Sequence, residues 1–554
     1  MSARLLFALP ALLFLAACAS APRRFPLKEP LWEDPDQRPF APKPSEYKSP
    51  FVWDGADNLL FRPVAETFKA DPGREATNVN ALDEVPDSSW FVNRLSRGAL
   101  TPEQVAKGPC ERAPLLPLKV TRAKPDGANP GFFIEDGRGD RYLLKFDNPE
   151  QPERATAADV IGARAYYAAG YYVPCAQILF FSAADLALPS PGERGADRRR
   201  AVSPERVQAV LDRAPKAKSG LYRANASLYV EGEILGPWRY EGMRDDDPND
   251  VVPHEDRREL RGGHVLAAWL NHFDAREQNT LATFLPVGEG GGGYVRHYML
   301  DFGDTLGSLW VLDSRRSGHS HYFDMVQVGR DLVTLGLAQR PWERAQLGRA
   351  GMVLGYFDVE RFSPDEWKPG YANPAFDRMT ERDAAWMARI LARFGDPQLE
   401  ALVDTGQFDN QVVRDELVRI LKGRRDTILR RYLQRLSPLA QPALAETRGG
   451  AQLCLEDLAV TGGVARAEER RYTAHAWQGT HALPLAVSRG DAPADVCVGL
   501  PMPAGASADR PAYLVVDVTA KSVPPARVHL YGLGGARFRV VGLERPESSD
   551  APRL

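Results

Sequence analysis

The amino-acid sequence predicts an α+β fold with a separate small β-domain at its C-terminal end. Two observations support this prediction. Residues 376–436 carry apolar side chains at helical spacing, whereas residues 451–545 alternate apolar and polar side chains as strands do. The 554 residues, at roughly 100–200 per domain, leave room for two to four domains.

The first structured half of the chain is predicted to be rich in short strands. Four strands are expected, at 116–120, 132–134, 142–146 and 177–181. The middle two flank an Asp-Gly-Arg-Gly turn sequence, and a helical pattern over 155–169 stops at Gly170. Farther along, we expect a helix and two strands, at 259–273, 280–285 and 294–300.

Composition and charge exclude several classes of protein. The chain is 44% hydrophobic and 26% charged, which is ordinary for a globular protein and rules out a fully disordered or collagen-like chain. Its formal net charge of −3 provides no basic field, so we expect no nucleic-acid partner. After the first 20 residues, no apolar run approaches the ~20 residues that span a bilayer.

The N-terminus predicts export and attachment to a lipid. An apolar stretch over residues 5–17 has the length of a signal-peptide core. It ends in Leu-Ala-Ala directly before Cys18, which resembles the lipobox of bacterial lipoproteins. The resemblance implies cleavage before Cys18, a diacylglycerol on its thiol and, because Ala19 follows, sorting to the outer membrane of the bacterial envelope. The alternative is an ordinary cleaved signal peptide with an incidental cysteine.

Changes in composition divide the chain into seven segments. These are a signal peptide (1–17), a lipid-anchored Pro-rich tether (18–50), an N-terminal cap (51–114), a strand-rich region with a charged insertion (115–235), a helical region (236–436), a linker (437–450) and a small β-domain (451–545).

Export also bears on the cysteines, because disulfides form in oxidising compartments. Four cysteines remain after Cys18, and they allow three pairings. Proximity in sequence favours Cys110 with Cys175 and Cys454 with Cys497, each pair within one region. The alternative is four buried free thiols.

Four sequence elements that carry chemistry occur in a fixed order. A lysine, Lys145, lies within an apolar strand, and Asp159 follows in the next helix. An HxDxxxxN sequence then supplies Asp274 and Asn279, and an Asp-Phe-Gly sequence begins at Asp301. A lysine on a rigid strand offsets phosphate charge, and Asn and Asp oxygens are ligands that Mg²⁺ prefers.

This order resembles the protein-kinase signature, most closely that of atypical members such as the toxin–antitoxin serine kinases and the spore-coat and secretory-pathway kinases. The resemblance implies a two-lobed protein-kinase-like fold, with an N-lobe over 115–235 and a C-lobe over 236–436. It implies ATP or another nucleotide held by Lys145 and Asp159, Mg²⁺ or Mn²⁺ on Asn279 and Asp301, and Asp274 orienting the hydroxyl of an unknown acceptor.

The sequence departs from the kinase pattern in three places. No GxGxxG sequence precedes Lys145, and no Ala-Pro-Glu sequence follows the Asp-Phe-Gly element. The helix acid is Asp159 instead of the usual Glu, with Glu153 as the alternative partner of the lysine. Three functions therefore stay open: a phosphotransferase, a kinase-like envelope scaffold that binds without catalysis, and a structural lipoprotein in which the motif is coincidental.

Overall fold

The structure is a computed structural model. It describes residues 24–39, 41–49, 55–57, 61–62, 64–65, 73–124, 129–188, 203–309, 314–448, 450–478, 481–548 and 550. The predicted signal peptide and Cys18 lie outside the described residues. The described chain contains helices and several β-sheets, in agreement with the predicted α+β class.

The helices of the described residues, in chain order, are α1 (Pro102–Lys107), α2 (Arg154–Ala169), α3 (Pro204–Arg213), α4 (Arg258–Leu270), α5 (Met325–Thr334), α6 (Pro374–Asp377), α7 (Glu381–Leu391), α8 (Asp396–Asp404), α9 (Gln411–Tyr432) and α10 (Leu458–Thr461).

The strands of the same residues are β1 (Leu118–Ala123), β2 (Gly131–Glu135), β3 (Arg141–Lys145), β4 (Ala176–Phe181), β5 (Leu186–Ala187), β6 (Tyr222–Leu228), β7 (Glu233–Gly236), β8 (Thr280–Pro286), β9 (Gly293–Met299), β10 (Leu439–Thr447), β11 (Gly450–Asp457), β12 (Tyr472–Gln478), β13 (His481–Leu485), β14 (Val487–Arg489), β15 (Asp495–Gly499), β16 (Ala512–Ala520), β17 (Ala526–Gly532) and β18 (Phe538–Glu544).

A six-stranded sheet begins the folded body, in the order β4-β6-β3-β2-β1-β5. Its strands pair antiparallel except for β1 and β5, which are parallel. The turn between β2 and β3 forms as predicted, because the Asp136 carboxylate accepts hydrogen bonds from the backbone N–H groups of Arg138 and Asp140. Helix α2 is the next element after β3, the strand that ends at Lys145.

The main hydrophobic core lies among α2, α4, α7, α8 and α9 and includes residues 85–95 of the predicted cap. Phe91 belongs to this core and packs against Gly170, which follows α2 and has a φ of +135°. A Cβ atom at Gly170 would lie 2.2 Å from the Phe91 ring, so only glycine fits there. Among the described residues, no helix has both the length and the apolarity needed to cross a membrane.

The C-terminal region consists of two antiparallel sheets around a core of their own. One sheet has the order β10-β11-β15-β14 and the other β13-β12-β16-β17-β18. The sulfur atoms of Cys454 and Cys497 are bonded between the paired strands β11 and β15. A second disulfide joins Cys110, just after α1, to Cys175, just before β4.

Two segments differ from the predicted layout. The 437–450 linker contains β10, which pairs with β11. Pro442 lies at a register irregularity of this pairing, and Gly450 begins β11. The described part of the 18–50 tether packs on the body instead of running free. Phe25 is buried against the His529 ring, at 4.8 Å between ring centroids, and Ala41 pairs with Gly293 of β9.

A buried carboxylate links three parts of the molecule. Asp83, in the predicted cap, forms ion pairs with Arg258 of α4, Arg389 of α7 and Arg545, which follows β18. The three arginines hold the pKa of Asp83 below its usual value, although burial alone would raise it. The cap, the helical body and the β-domain therefore meet at one charged cluster.

Candidate functional site

The predicted lysine and two predicted acids converge on one cluster. Lys145 is buried at the end of β3, and its Nζ donates hydrogen bonds to Asp159 Oδ2 at 3.0 Å and to Asp301 Oδ1 at 2.7 Å. Burial alone would lower the pKa of Lys145, but the two carboxylates raise it well above its usual value. Lys145 therefore stays charged, with a carboxylate on either side.

Asp159 is the fixed member of this cluster. Besides Lys145, its carboxylate accepts a hydrogen bond from Asn225 Nδ2 at 2.6 Å and one from the backbone N–H of Phe302 at 2.9 Å. The alternative partner, Glu153, precedes α2 and accepts instead from the backbone N–H of Asp409. The helix acid that contacts the lysine is thus Asp159.

A glycine sets the distance between α2 and the Asp-Phe-Gly element. Gly162 lies one turn after Asp159, and a Cβ atom there would be 2.5 Å from Cβ of Phe302. Because real Cβ atoms do not approach that closely, Gly162 is what allows Asp159 to reach the backbone of Phe302.

Asp274 and Asn279 form a second pair beside this cluster. Helix α4 is capped by Asn271, which adopts the left-handed conformation with a φ of 53°. The 272–279 loop begins directly after this residue. In that loop, Asn279 Nδ2 donates to Asp274 Oδ2 at 2.8 Å, while Arg276 Nε lies 3.0 Å from Asp274 Oδ1. Both oxygens of the Asp274 carboxylate are therefore engaged.

Burial raises the pKa of Asp274 to about 7, with Arg276 opposing and Asp304 and Asp301 adding to the rise. Groups whose pKa is shifted towards neutrality by burial and neighbouring charge are common at sites of proton transfer. The carboxylates of Asp301 and Asp304 therefore lie close enough to Asp274 to affect its ionisation.

His272 ties this loop to α2. Its Nδ1 lies 2.9 Å from the Tyr166 hydroxyl, and its ring is 5.4 Å from that of Phe302 between centroids. Burial lowers the pKa of His272 to about 4, so the ring is neutral near pH 7. This histidine positions the loop and carries no charge to the site.

The Asp-Phe-Gly element forms a tight turn after β9. Asp301 has a φ of 56°, a region that non-glycine residues seldom occupy, and such conformations are concentrated at functional sites. Its side chain is 44% exposed, and among the described residues its carboxylate accepts one hydrogen bond, from Lys145 Nζ to Oδ1. Oδ2 of Asp301 accepts no hydrogen bond from those residues and is free to contact a ligand.

The predicted metal ligands retain the oxygen atoms that a metal requires. Asn279 uses its Nδ2 to contact Asp274, and among the described residues its Oδ1 has no hydrogen-bond partner. Within those residues no three His, Cys, Asp or Glu side chains are grouped so as to hold a metal by themselves. Mg²⁺ is commonly held by one or two protein oxygens together with substrate phosphates and water, which is what Asn279 and Asp301 offer.

Sequence reasoning missed three polar residues of the site. Asn225 of β6 lies opposite Lys145 of β3 in the sheet register, so only the strand pairing reveals it. Lys124 donates to the backbone oxygen of Asn129 at 2.9 Å, and its pKa is lowered by burial and by the nearby charge of Lys145. The third, Asp304, directly follows the Asp-Phe-Gly element, which is the one signal that could have identified it.

Comparisons with protein-family models, with curated proteins and with solved structures found no match to this chain.

Proposed function

We propose that this chain is a bacterial envelope lipoprotein whose kinase-like cleft binds a nucleotide with Mg²⁺ or Mn²⁺ and transfers a phosphoryl group to a hydroxyl of an unknown acceptor. The observation that carries the proposal is the cluster in which Lys145 contacts both Asp159 and Asp301. These residues are 14 and 156 positions away from Lys145 in sequence, so their contact does not follow from local structure.

The topology around the cluster supports the kinase-like reading of the fold. In protein kinases the lysine lies on a β-strand and pairs with an acid on the helix called αC. Here Lys145 ends the third strand of the chain, α2 follows directly, and Asp159 of α2 is the acid that contacts the lysine. A loop with Asp274 and Asn279 and an Asp-Phe-Gly turn then follow in the kinase order.

Charge complementarity argues for a nucleotide. A triphosphate carries several negative charges, which the four site carboxylates alone would repel. Lys145 provides one positive charge, and a divalent cation on Asn279 and Asp301 would provide two more while bridging the phosphates. Lys124, whose pKa responds to the nearby charges of Lys145 and Asp301, adds a further cation to the site.

Asp274 is the residue suited to proton transfer. A general base works best when its pKa lies near the operating pH, and burial raises the pKa of Asp274 to about 7. It would accept the proton of the acceptor hydroxyl as that oxygen attacks the terminal phosphorus atom. The bond from this phosphorus to the bridging oxygen would break, and the nucleoside diphosphate would leave.

A second candidate, a kinase-like scaffold that binds without turnover, is favoured by one observation. Both oxygens of Asp274 are already engaged, one by Asn279 and one by Arg276. An acceptor hydroxyl would have to displace or rearrange one of these contacts. The variants in the next experiment distinguish the phosphotransferase from the scaffold.

The experiment is calorimetric titration of the purified chain with ATP and GTP, each with Mg²⁺ or Mn²⁺, followed by single-turnover assays. Asp301→Ala should abolish metal-dependent binding, and Lys145→Ala should weaken binding and turnover together. Asp274→Ala should keep binding and lose turnover, because its role belongs to the transition state. Asp212→Ala, which removes an exposed carboxylate on α3, is the matched control.

Absence of nucleotide binding with either metal would refute the proposal. Binding with no turnover in any condition would favour the scaffold. The lipid anchor is tested separately: intact-mass analysis should find a diacylglycerol adduct on Cys18, and Cys18→Ser should release the chain from the membrane fraction. An unmodified Cys18 in the wild type would contradict the lipoprotein assignment.

A further inference from the structure

Helix α5 has its polar side covered by Arg340 and its apolar side exposed. Gln327, Asp331 and Thr334, spaced at i, i+4 and i+7, are its partly buried residues, and none of its residues is fully buried. Arg340 covers this polar side by donating hydrogen bonds to the side chains of Gln327 and Asp331. A surface helix of a globular protein normally shows the opposite arrangement, with its apolar stripe on the core.

The outward side presents an unusually exposed set of aliphatic side chains. Five of them in and just after α5 are between 72% and 86% exposed. We call them the outward apolar face: Val326, Leu332, Val333, Leu335 and Leu337. Single exposed apolar residues are ordinary, but a contiguous group on one element marks a site of contact with a partner or a membrane.

The surroundings of this face are basic. Residues 314–352 contain six arginines against three acidic residues, in a chain whose net charge is −3. Arg330, Arg344 and Arg349 are exposed, and the acidic Asp331 and Glu343 are both paired with Arg340. The free charge beside the outward apolar face is therefore positive.

We infer that the outward apolar face and its flanking arginines form a membrane-contact surface for anionic lipid headgroups. An amphipathic segment with aliphatic residues on one side and basic residues around them lies in the membrane interface, with its apolar side among the acyl chains. Arginines near an anionic surface add attraction that acts within a Debye length.

The charge pattern favours a bilayer over a second copy of the chain. A symmetric dimer would bring the same patch of both copies together, and the arginines of one copy would face those of the other. Anionic headgroups reverse that repulsion. The inference fits the lipid anchor of the proposed function but does not depend on it, since the surface lies on the folded body.

The test uses the full chain carrying Cys18→Ser, so that no lipid attachment contributes. Amide hydrogen exchange is followed over 325–337 in buffer, with phosphatidylcholine vesicles, and with vesicles that also contain phosphatidylglycerol. We expect exchange over this segment to slow by about tenfold or more with the anionic vesicles and by much less with phosphatidylcholine alone.

Two variants separate the apolar and electrostatic contributions. The triple change Leu332→Gln, Val333→Gln and Leu337→Gln should abolish the slowing, and it affects only exposed positions, so the fold should be kept. Arg330→Gln with Arg344→Gln should remove the preference for anionic vesicles. The matched control replaces Val251 and Met502, which are 65% and 68% exposed elsewhere, with Gln and should behave like the parent chain.

Unchanged exchange over 325–337 with both kinds of vesicle would overturn the inference. So would slowing that appears without vesicles and grows with protein concentration, because a second copy would then cover the face. Nucleotide binding by the same variants and the intact mass of the wild type are measured independently, so a failed membrane contact is distinguishable from a failed kinase-like cleft or a missing anchor.

Discussion

Asp274 and Asp301 lie in one site, yet we expect their carboxylates to affect stability in opposite directions. Burial raises the pKa of Asp274 to about 7, so its ionised form disfavours the folded state. The pKa of the partly exposed Asp301 is lowered by the adjacent Lys145, which outweighs the loss of solvent around the carboxylate, so its ionised form favours the folded state. Near pH 8, Asp274→Asn should raise the free energy of unfolding and Asp301→Asn should lower it.

The size of the Asp274 effect follows from its pKa. A shift from 3.8 to about 7 corresponds to roughly 4 kcal/mol at about 1.4 kcal/mol per unit, which is an upper limit for the penalty of ionisation. This limit is already net of the opposing charge of Arg276, and relaxation of the folded chain around the ionised carboxylate reduces the penalty further. We therefore expect a net gain of about 2 kcal/mol.

The Asp301 effect is limited by the second partner of Lys145. The ammonium of Lys145 loses the 2.7 Å contact but keeps the one to Asp159, so it is not left alone in the interior. A loss of about 1–3 kcal/mol is expected, below the ~3–5 kcal/mol of a buried charge that loses every partner.

The assay is urea unfolding of the metal-free and nucleotide-free chain, followed by tryptophan fluorescence across pH. Between pH 3.8 and about 7, the unfolded chain releases the Asp274 proton and the folded chain retains it, so this carboxyl lowers wild-type stability as pH rises. Asp274→Asn should have a shallower decline over that range. If it destabilises the chain near pH 8 as Asp301→Asn does, or if its pH slope equals that of the wild type, the assignment of the raised pKa is wrong.

Three further predictions concern the packing around the site and the β-domain. Gly162→Ala should cost about 1–3 kcal/mol and weaken nucleotide binding, because its Cβ would collide with Phe302; wild-type affinity in calorimetry would contradict this. Replacing Cys454 and Cys497 together with Ser should lower the stability of the β-domain by about 3–4 kcal/mol, the chain-entropy value for a 43-residue separation, measured by thermal unfolding. Asp83→Asn should cost about 3–5 kcal/mol in urea unfolding, chiefly because the buried Arg545 loses its carboxylate partner, whereas Arg258 and Arg389 keep Asp383 and Glu84. A change below about 1 kcal/mol would show that the cluster does not join the regions.

The sequence predicted those parts of the fold and site that depend on local pattern. The β2–β3 hairpin and α2 lie within a few residues of the predicted bounds, because turn residues and a terminal glycine mark their ends. The fixed order of the lysine, the helix acid, the 272–279 loop and the Asp-Phe-Gly sequence also indicated which distant residues should meet, and Lys145 does contact Asp159 and Asp301.

What the sequence did not predict depends on long-range contact. Asn225 joins the site only because β6 pairs with β3, and the local sequence of β6 does not predict the register of that pairing. The Pro-rich segment after Cys18 looks like a tether, yet Asp36 within it is buried and accepts hydrogen bonds from the backbone N–H and the hydroxyl of Ser89. Its surroundings raise the pKa of Asp36 to about 7, chiefly by burial, which composition alone cannot indicate.

Helix α5 shows the same limit most clearly. Its sequence is amphipathic, and the usual rule would place Val326, Leu332 and Val333 on the core. Periodicity defines two sides of a helix but not which one is covered. Here Arg340 binds the polar side and covers it. The apolar side stays in water, which forgoes roughly 25 cal/mol of stabilisation per Å² of apolar surface. Five neighbouring side chains remain exposed in this way, which argues for a partner that covers them.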